Sequence, residues 1–399
     1  VRLARMSLAL GVVLTALTGC AVAGDPMPVP DPATLDVGPY SRYPLAAPAH
    51  GTERYGRVIE SVRLGELIAN PARVDPALNV PRTRMGSDPL PTPAKAVALL
   101  ADPARAALER HGMLAGFTVG ASDTRQFTVG NGRIVQITLL RFPDAGAARE
   151  AATEIDSADA AVSPDNVAVT IPDHPTARAH WRPSVPTLAA TMAIDSFVVT
   201  VLAGHVTPDL GVLTTLAGRA FAEQQPLLRD VELTPAEAFA DLPLDRDGML
   251  ARMVPEAPGR WPYPVVVTSE IAENAGWDSI VQPHGIVLGP RAGHFYSPAP
   301  EVPEWTGLNR FDRLLRFSDA ATAATFFSGL RQDDARSSVP TPAGMVDINC
   351  AEKETGAASM TRFSCRLRYG RYVAVVFSRD YQDVHHRAAA QYALLVNSE

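Results

Sequence analysis

The residues with most reactive potential in this 399-residue chain are its nine histidines, three cysteines and their acidic neighbours. Zinc chemistry needs such ligands close together, as in His-Glu-x-x-His, where two imidazoles one helical turn apart share an ion. No such run occurs. The densest grouping is Asp383, His385 and His386, at the start of a helix expected at the C-terminus. Successive helical residues point about 100° apart, so His385 and His386 diverge. One histidine is then expected to face solvent while Asp383 stabilises the positive helix start. His284 falls within, and His294 directly after, Pro283 to Gly293, a Gly-rich stretch expected to be a loop plus a strand entry. No metal ligand or cofactor-binding residue is assigned from these patterns.

Nucleophilic chemistry fares no better. A Gly-x-Ser-x-Gly elbow is absent, and no serine stands in a strand-turn-helix context that would strain and expose it. A triad assembled from distant positions stays open, but no catalytic residue is assigned. A phosphate-cradling loop requires Gly-Lys, and the only lysines, Lys95 and Lys353, follow Ala94 and Glu352. Gly130-Asn131-Gly132 lies between apolar runs and signals a hairpin turn. Trp181, Trp261, Trp277 and Trp305 are expected in the core, with an apolar groove for glycan or lipid as the alternative.

The first cysteine has a different chemistry. Arg2 and Arg5 precede an apolar run from Met6 to Leu17, too short to span a bilayer. Leu17-Thr18-Gly19-Cys20 follows directly and resembles a bacterial lipobox, in which small residues admit the peptidase and the cysteine sulfur takes a diacylglyceryl group. Residues 1–19 are thus expected to be a signal peptide. Cys20 is expected to anchor the mature chain to the outer face of the plasma membrane, two acyl chains contributing about 0.8 kcal/mol per buried methylene. Its membrane partner is reached through that lipid alone. The best later apolar run, Met192 to Gly204, is interrupted by Asp195. In an oxidising compartment the remaining pair, Cys350 and Cys365, is expected to form a disulfide.

Charge narrows the partners. The chain carries −7, and loss of Arg2 and Arg5 with the signal leaves −9. An acidic chain without basic blocks suits neither nucleic acid nor the surface of anionic lipid. An apolar content of 46% with 20% charged residues is that of a folded protein.

Along the chain, residues 20–51 are rich in proline with little apolar periodicity, and are expected to form a lipid-anchored, loosely held tether. Arg57 to Leu67 has the spacing of a strand or short helix. Asn70 to Pro93 reads as irregular, and Lys95 to His111 as a helix that Pro103 kinks or splits. Then the chain repeats itself. Leu139-Leu140-Arg141-Phe142-Pro143-Asp144-Ala145 recurs 175 residues later as Leu314-Leu315-Arg316-Phe317-Ser318-Asp319-Ala320. The same offset aligns the β-type runs Phe197 to Val201 and Tyr372 to Val376. With a two-residue shift, Ala115-Gly116-Phe117 also matches Ala292-Gly293-His294-Phe295. Each Asp-Ala caps an apolar helical stripe, and a second helix ends each copy, the first capped by Thr207. The pattern predicts an α+β fold of two tandem related units, 52–230 and 234–399, each an antiparallel sheet with helices packed on one face. The disulfide belongs to the second unit alone, since the first has Pro175 and Ala190 at that offset.

Arg63-Leu64-Gly65-Glu66-Leu67, Val74-Asp75-Pro76-Ala77-Leu78 and His111 to Phe117, with the Arg-Phe-x-Asp-Ala repeats, resemble an uncharacterised family of actinobacterial lipoproteins from mycobacteria, nocardiae and relatives. The resemblance spans nearly the whole mature chain. It implies a two-part extracytoplasmic protein and brings no catalytic residues with it. The strand–helix order is also similar, at the level of fold, to extracellular sensor domains of mycobacterial receptor kinases. The expected function is that of a non-catalytic envelope lipoprotein binding a protein partner, or a small apolar or glycan ligand, in the cleft between its units. A cell-wall-directed hydrolase and a structural spacer are the alternatives.

Overall fold

The computed structural model describes residues 30–81, 87–125, 128–269, 280–296, 300–333, 337–353 and 359–398. The expected signal peptide, Cys20 and Trp277 lie outside these residues.

The first unit opens with helix α1 (Glu53–Leu64), whose cap Thr52 accepts a hydrogen bond from the Tyr55 N–H and which buries Val58, Val62 and Leu64. The stretch expected to be irregular holds short order: α2 (Pro71–Val74), β1 (Val80–Pro81) and β2 (Ser87–Pro89). The next helical segment is split, into α3 (Pro93–Ala96), which ends at Val97 six residues before Pro103, and α4 (Ala104–Arg110), for which Pro103 is the N-cap residue. Strands β3 (Ala115–Ser122) and β4 (Ile134–Arg141) pair as an antiparallel hairpin around Gly130, which takes a φ of +88°. Asp144 caps α5 (Ala145–Ala160) through the Gly146 and Ala147 amides. Then come β5 (Val167–Val169), β6 (Arg178–Trp181), β7 (Thr187–Ile194), β8 (Phe197–Gly204) and α6 (Leu210–Gln224). Asp209, rather than the expected Thr207, caps α6.

The second unit contains β9 (Val265–Ser269), β10 (Ile280–Leu288), α7 (Pro290–Tyr296), β11 (Trp305–Asn309), β12 (Asp312–Arg316) and α8 (Ala320–Asp333). It ends with β13 (Ser338–Val339), β14 (Ile348–Glu352), β15 (Phe363–Tyr369), β16 (Tyr372–Ser378) and α9 (Tyr381–Val396). The strand order is β1-β3-β4-β8-β7-β6-β5 in one sheet, with β2 also on β3, and β9-β10-β11-β12-β16-β15-β14-β13 in the other. All pairings are antiparallel, so the fold is α+β with two antiparallel sheets.

The duplication holds down to single residue pairs. Arg141 faces Phe197 and Leu140 faces Val198; 175 residues later Arg316 faces Tyr372 and Leu315 faces Val373. Both central hairpins turn at a residue of positive φ, Asp195 at +49° and Gly370 at +50°. That explains why Asp195 interrupts the apolar run. The weakest part of the sequence match fails. Ala292 to Phe295 lies in α7, and the true counterpart of β3 is β11, the strand beside β12. Likewise the counterpart of Cys350 is Ala179 and not Pro175, because Cys350 faces Cys365 as Ala179 faces Ala190.

Helices cover both faces of the sheets, where one face was expected. In the second unit Leu314 and Ala374 pack with Val384 and Ala388 of α9, while their neighbours Leu315 and Val373 pack with Phe326 and Phe327 of α8. Successive strand residues point to opposite faces, so α8 and α9 lie on opposite sides. In the first unit α5 holds the α8 position, its Asp156 hydrogen-bonded to His180 on β6 at 3.0 Å.

The described part of the expected tether is not loose. From Pro30 onward it lies against α9, burying Leu35, Val37 and Tyr40. Tyr392 Oη donates to the Pro30 carbonyl, Asn397 to the Arg42 carbonyl, and His386 meets Asp36. The prolines limit helix and strand but do not prevent apolar docking. The two units also share a core: Val266, Ile286, Leu288, Ala292, Phe295 and Leu308 of the second pack into the cluster built on the first.

Candidate functional site

At the seam between the units, α1 runs beside β10, and a cavity of about 310 Å³ opens at the N-terminal end of that contact. Its walls come from three local features. The first turn of α1 presents Arg54 and Tyr55. The segment before β9 presents Glu256, Arg260, Trp261 and Tyr263. His284 of β10 and Asn309 of β11, opposite each other in register, form the floor.

Backbone geometry makes this arrangement. A bulge in β10 between His284 and Ile286 is taken up by Gly285, at a φ of +59°. Pro262 approaches so closely that a Cβ on Gly285 would sit 2.1 Å from its carbonyl oxygen. The contact brings Tyr263 onto Tyr55, rings stacked at 5.0 Å with 20° between planes. Such a pair offers a flat rigid edge at low entropic cost.

The electrostatics point one way. Arg310 and His284 share Glu256, at one rim. The guanidinium groups of Arg54 and Arg260 have no carboxylate or hydrogen-bond partner among the described residues. Arg54 also stands in the first turn of its helix, where the peptide dipole is already positive. A neighbouring cavity of about 410 Å³ shares Arg54 and adds Lys95, whose ammonium burial and the Arg54 charge push below its usual range. Burial likewise holds the His284 ring below its usual range, Glu256 opposing and Arg310 reinforcing. Two donors on the cavity wall are buried with no acceptor among the described residues: the Trp261 indole Nε1 and the Asn309 amide Nδ2. An unsatisfied buried donor costs about 1–3 kcal/mol, so a partner that satisfied either of these would be stabilised by a comparable amount.

The residues singled out in the sequence are scattered. Asp383 accepts from Tyr40 Oη at 2.9 Å and Ser378 Oγ at 2.7 Å, His385 meets the Pro340 carbonyl, and His386 turns to Asp36. His294 lies in α7 and His284 in the seam. Cys350 and Cys365 are bonded at 2.01 Å, directly opposite on β14 and β15, with His385 beside them. Both sulfurs are committed to each other and neither is a thiolate. Among the described residues, the one histidine hydrogen-bonded to a hydroxyl or thiol is His205, which meets Thr207 on an exposed turn without a carboxylate. Trp305 lies under the Arg246 guanidinium at 3.9 Å, and of the described tryptophans Trp261 alone lines the seam cavity. Arg54, Arg260 and Asn309 carried no sequence motif.

The fold and cavity define a two-unit α+β protein with a donor-lined seam. The chain matches the family described as Domain of unknown function (DUF7373) N-terminal over residues 47–244, and its C-terminal counterpart over 304–398. Together these matches span most of the chain, which belongs to that family. No curated protein matches. Among solved structures it is similar to the extracellular domain of PknH from Mycobacterium tuberculosis, at 13% identity and a TM-score of 0.29, over 48% of this chain and 100% of the other. So distant a likeness carries no argument. No helix among the described residues is long and apolar enough to cross a membrane.

Proposed function

We propose that this is a non-catalytic binding protein of the cell envelope, lipid-anchored through Cys20, which holds a small anionic ligand in the seam between its units. The observation that carries this reading is the pair of carboxylate-free guanidinium groups, Arg54 and Arg260, lining one cavity whose wall residues Trp261 and Asn309 also hold buried donors without acceptors among the described residues. Carboxylates, phosphates and anionic sugars supply acceptors and negative charge together. The stacked Tyr55 and Tyr263 add a surface for a ring. The lipobox-like run Leu17-Thr18-Gly19-Cys20 supports an address outside the membrane, where such envelope components occur.

The test is calorimetric titration of the full chain with orthophosphate, citrate and glucuronate. At least one should bind, with affinity falling as salt rises. Trp261→Phe keeps the ring and removes the donor, and Arg54→Ala with Arg260→Ala removes the charge. Each change is expected to weaken binding about tenfold, the value of one charged hydrogen bond. If none of the three anions binds, or binding is indifferent to these substitutions, the reading fails. Separately, Cys20→Ser should move the protein from membrane to soluble fractions.

A further inference from the structure

The internal duplication exposes a second site, away from the seam. On β4, β8 and β7 the residues Thr138, Thr200 and Thr191 stand side by side across the sheet. At the same register 175 residues later stand Arg313, Val375 and Arg366. Long side chains occupy that row in the second unit, where Arg366 reaches across to the Leu330 carbonyl. The first unit has only threonines there, and over them lies a cavity of about 520 Å³, roofed by α5 and the loop before α4. That volume is within the usual range for small-ligand sites, roughly 300–1,000 Å³.

We infer that this cavity is a binding site for a small neutral, polyhydroxylated ligand such as a sugar. Thr191 and Thr200 are 5% and 9% exposed, both line the cavity, and neither hydroxyl makes a hydrogen bond among the described residues. Each hydroxyl both donates and accepts, which suits a ligand hydroxyl better than an anion. The exposed Asp102 side chain stands at the mouth of the cavity, where it can accept from ligand hydroxyls. No lysine, arginine or histidine lines the space; its charged wall residues are Asp102 and Asp159, the latter already paired with His180, so nothing there offers an anion a cationic partner. Leu100, Pro103 and Val162 supply the apolar surface that the C–H face of a sugar ring covers. The chemistry is opposite in sign to that of the seam.

Saturation-transfer NMR on the full chain, with methyl glucoside, galactoside and mannoside as probes, tests this. At least one neutral glycoside should show transfer. Thr200→Val, the residue found in the second unit, is isosteric and should weaken binding about tenfold; Asp102→Asn should do the same. Thr191→Arg, again the second unit's residue, should abolish it, and Arg260→Ala in the seam should leave it unchanged. The inference is overturned if no neutral glycoside binds at millimolar concentration. It is overturned equally if Thr200→Val and Asp102→Asn bind as the unaltered chain does, or if Arg260→Ala removes the signal.

Discussion

Asp312 on β12 and Arg387 on α9 form an ion pair with side chains only 5% and 8% exposed. The Phe377 N–H completes the carboxylate at 2.9 Å, and Arg387 also donates to Tyr40 Oη at 3.1 Å. The first unit has Ile137 at the position of Asp312. Breaking such a pair strands a buried charge, at about 3–5 kcal/mol. Asp312→Asn should therefore lower the denaturant midpoint strongly. The double change Asp312→Ile with Arg387→Met removes both charges and should cost far less. Equal losses for the single and double variants would show that charge stranding is not the cause.

His180 should make stability depend on pH. Burial disfavours its charge, but hydrogen bonds from the ring to Asp156 and Asp159, with their negative charges, outweigh that and raise it from 6.5 to about 9. A group whose folded value is raised stabilises fully below its unfolded value. The contribution should be complete below about pH 6.5 and vanish as pH rises through about 9. Thermal melts between pH 6 and 10 should show this decline, and His180→Gln should flatten it.

Gly285→Ala combines a left-handed backbone with a Cβ 2.1 Å from the Pro262 carbonyl. The strain alone is worth about 1–3 kcal/mol. Pro262 must retreat, so the stacking of Tyr55 on Tyr263 should loosen as well. Lower melting temperature together with altered tyrosine fluorescence would register both effects. An unchanged melt would mean the bulge tolerates a side chain.

The Cys350–Cys365 bond closes a sequence separation of 15 residues. The corresponding loop entropy is about 3 kcal/mol. Replacing both cysteines by alanine, the residue at both matching positions of the first unit, should lower stability by about that amount and preserve the fold by circular dichroism.

The duplication was legible because Leu-Leu-Arg-Phe-x-Asp-Ala carries both a strand end and a helix cap, two constraints on one short run. The disulfide was legible because compartment and cysteine count left one pairing. The layering was missed, although its signal was present. Leu139-Leu140 and Leu314-Leu315 put adjacent apolar residues on opposite faces of one strand, which requires cover on both sides. The seam was not legible at all. Trp261 and Asn309 are an unremarkable tryptophan and a strand-end asparagine until folding buries their donors beside Arg54, which lies more than two hundred residues earlier in the chain. The Thr row at 138, 191 and 200 becomes visible only when strand register sets it against its arginine counterparts.

The docking of residues from Pro30 onto α9 shortens the leash. With lipid on Cys20, as proposed, only ten residues separate the acyl group from the folded body, and a fully extended chain of that length reaches at most about 35 Å. The protein would then ride low over the lipid headgroups with little freedom to roam outward, and whatever it captures must come down to that stratum to be met.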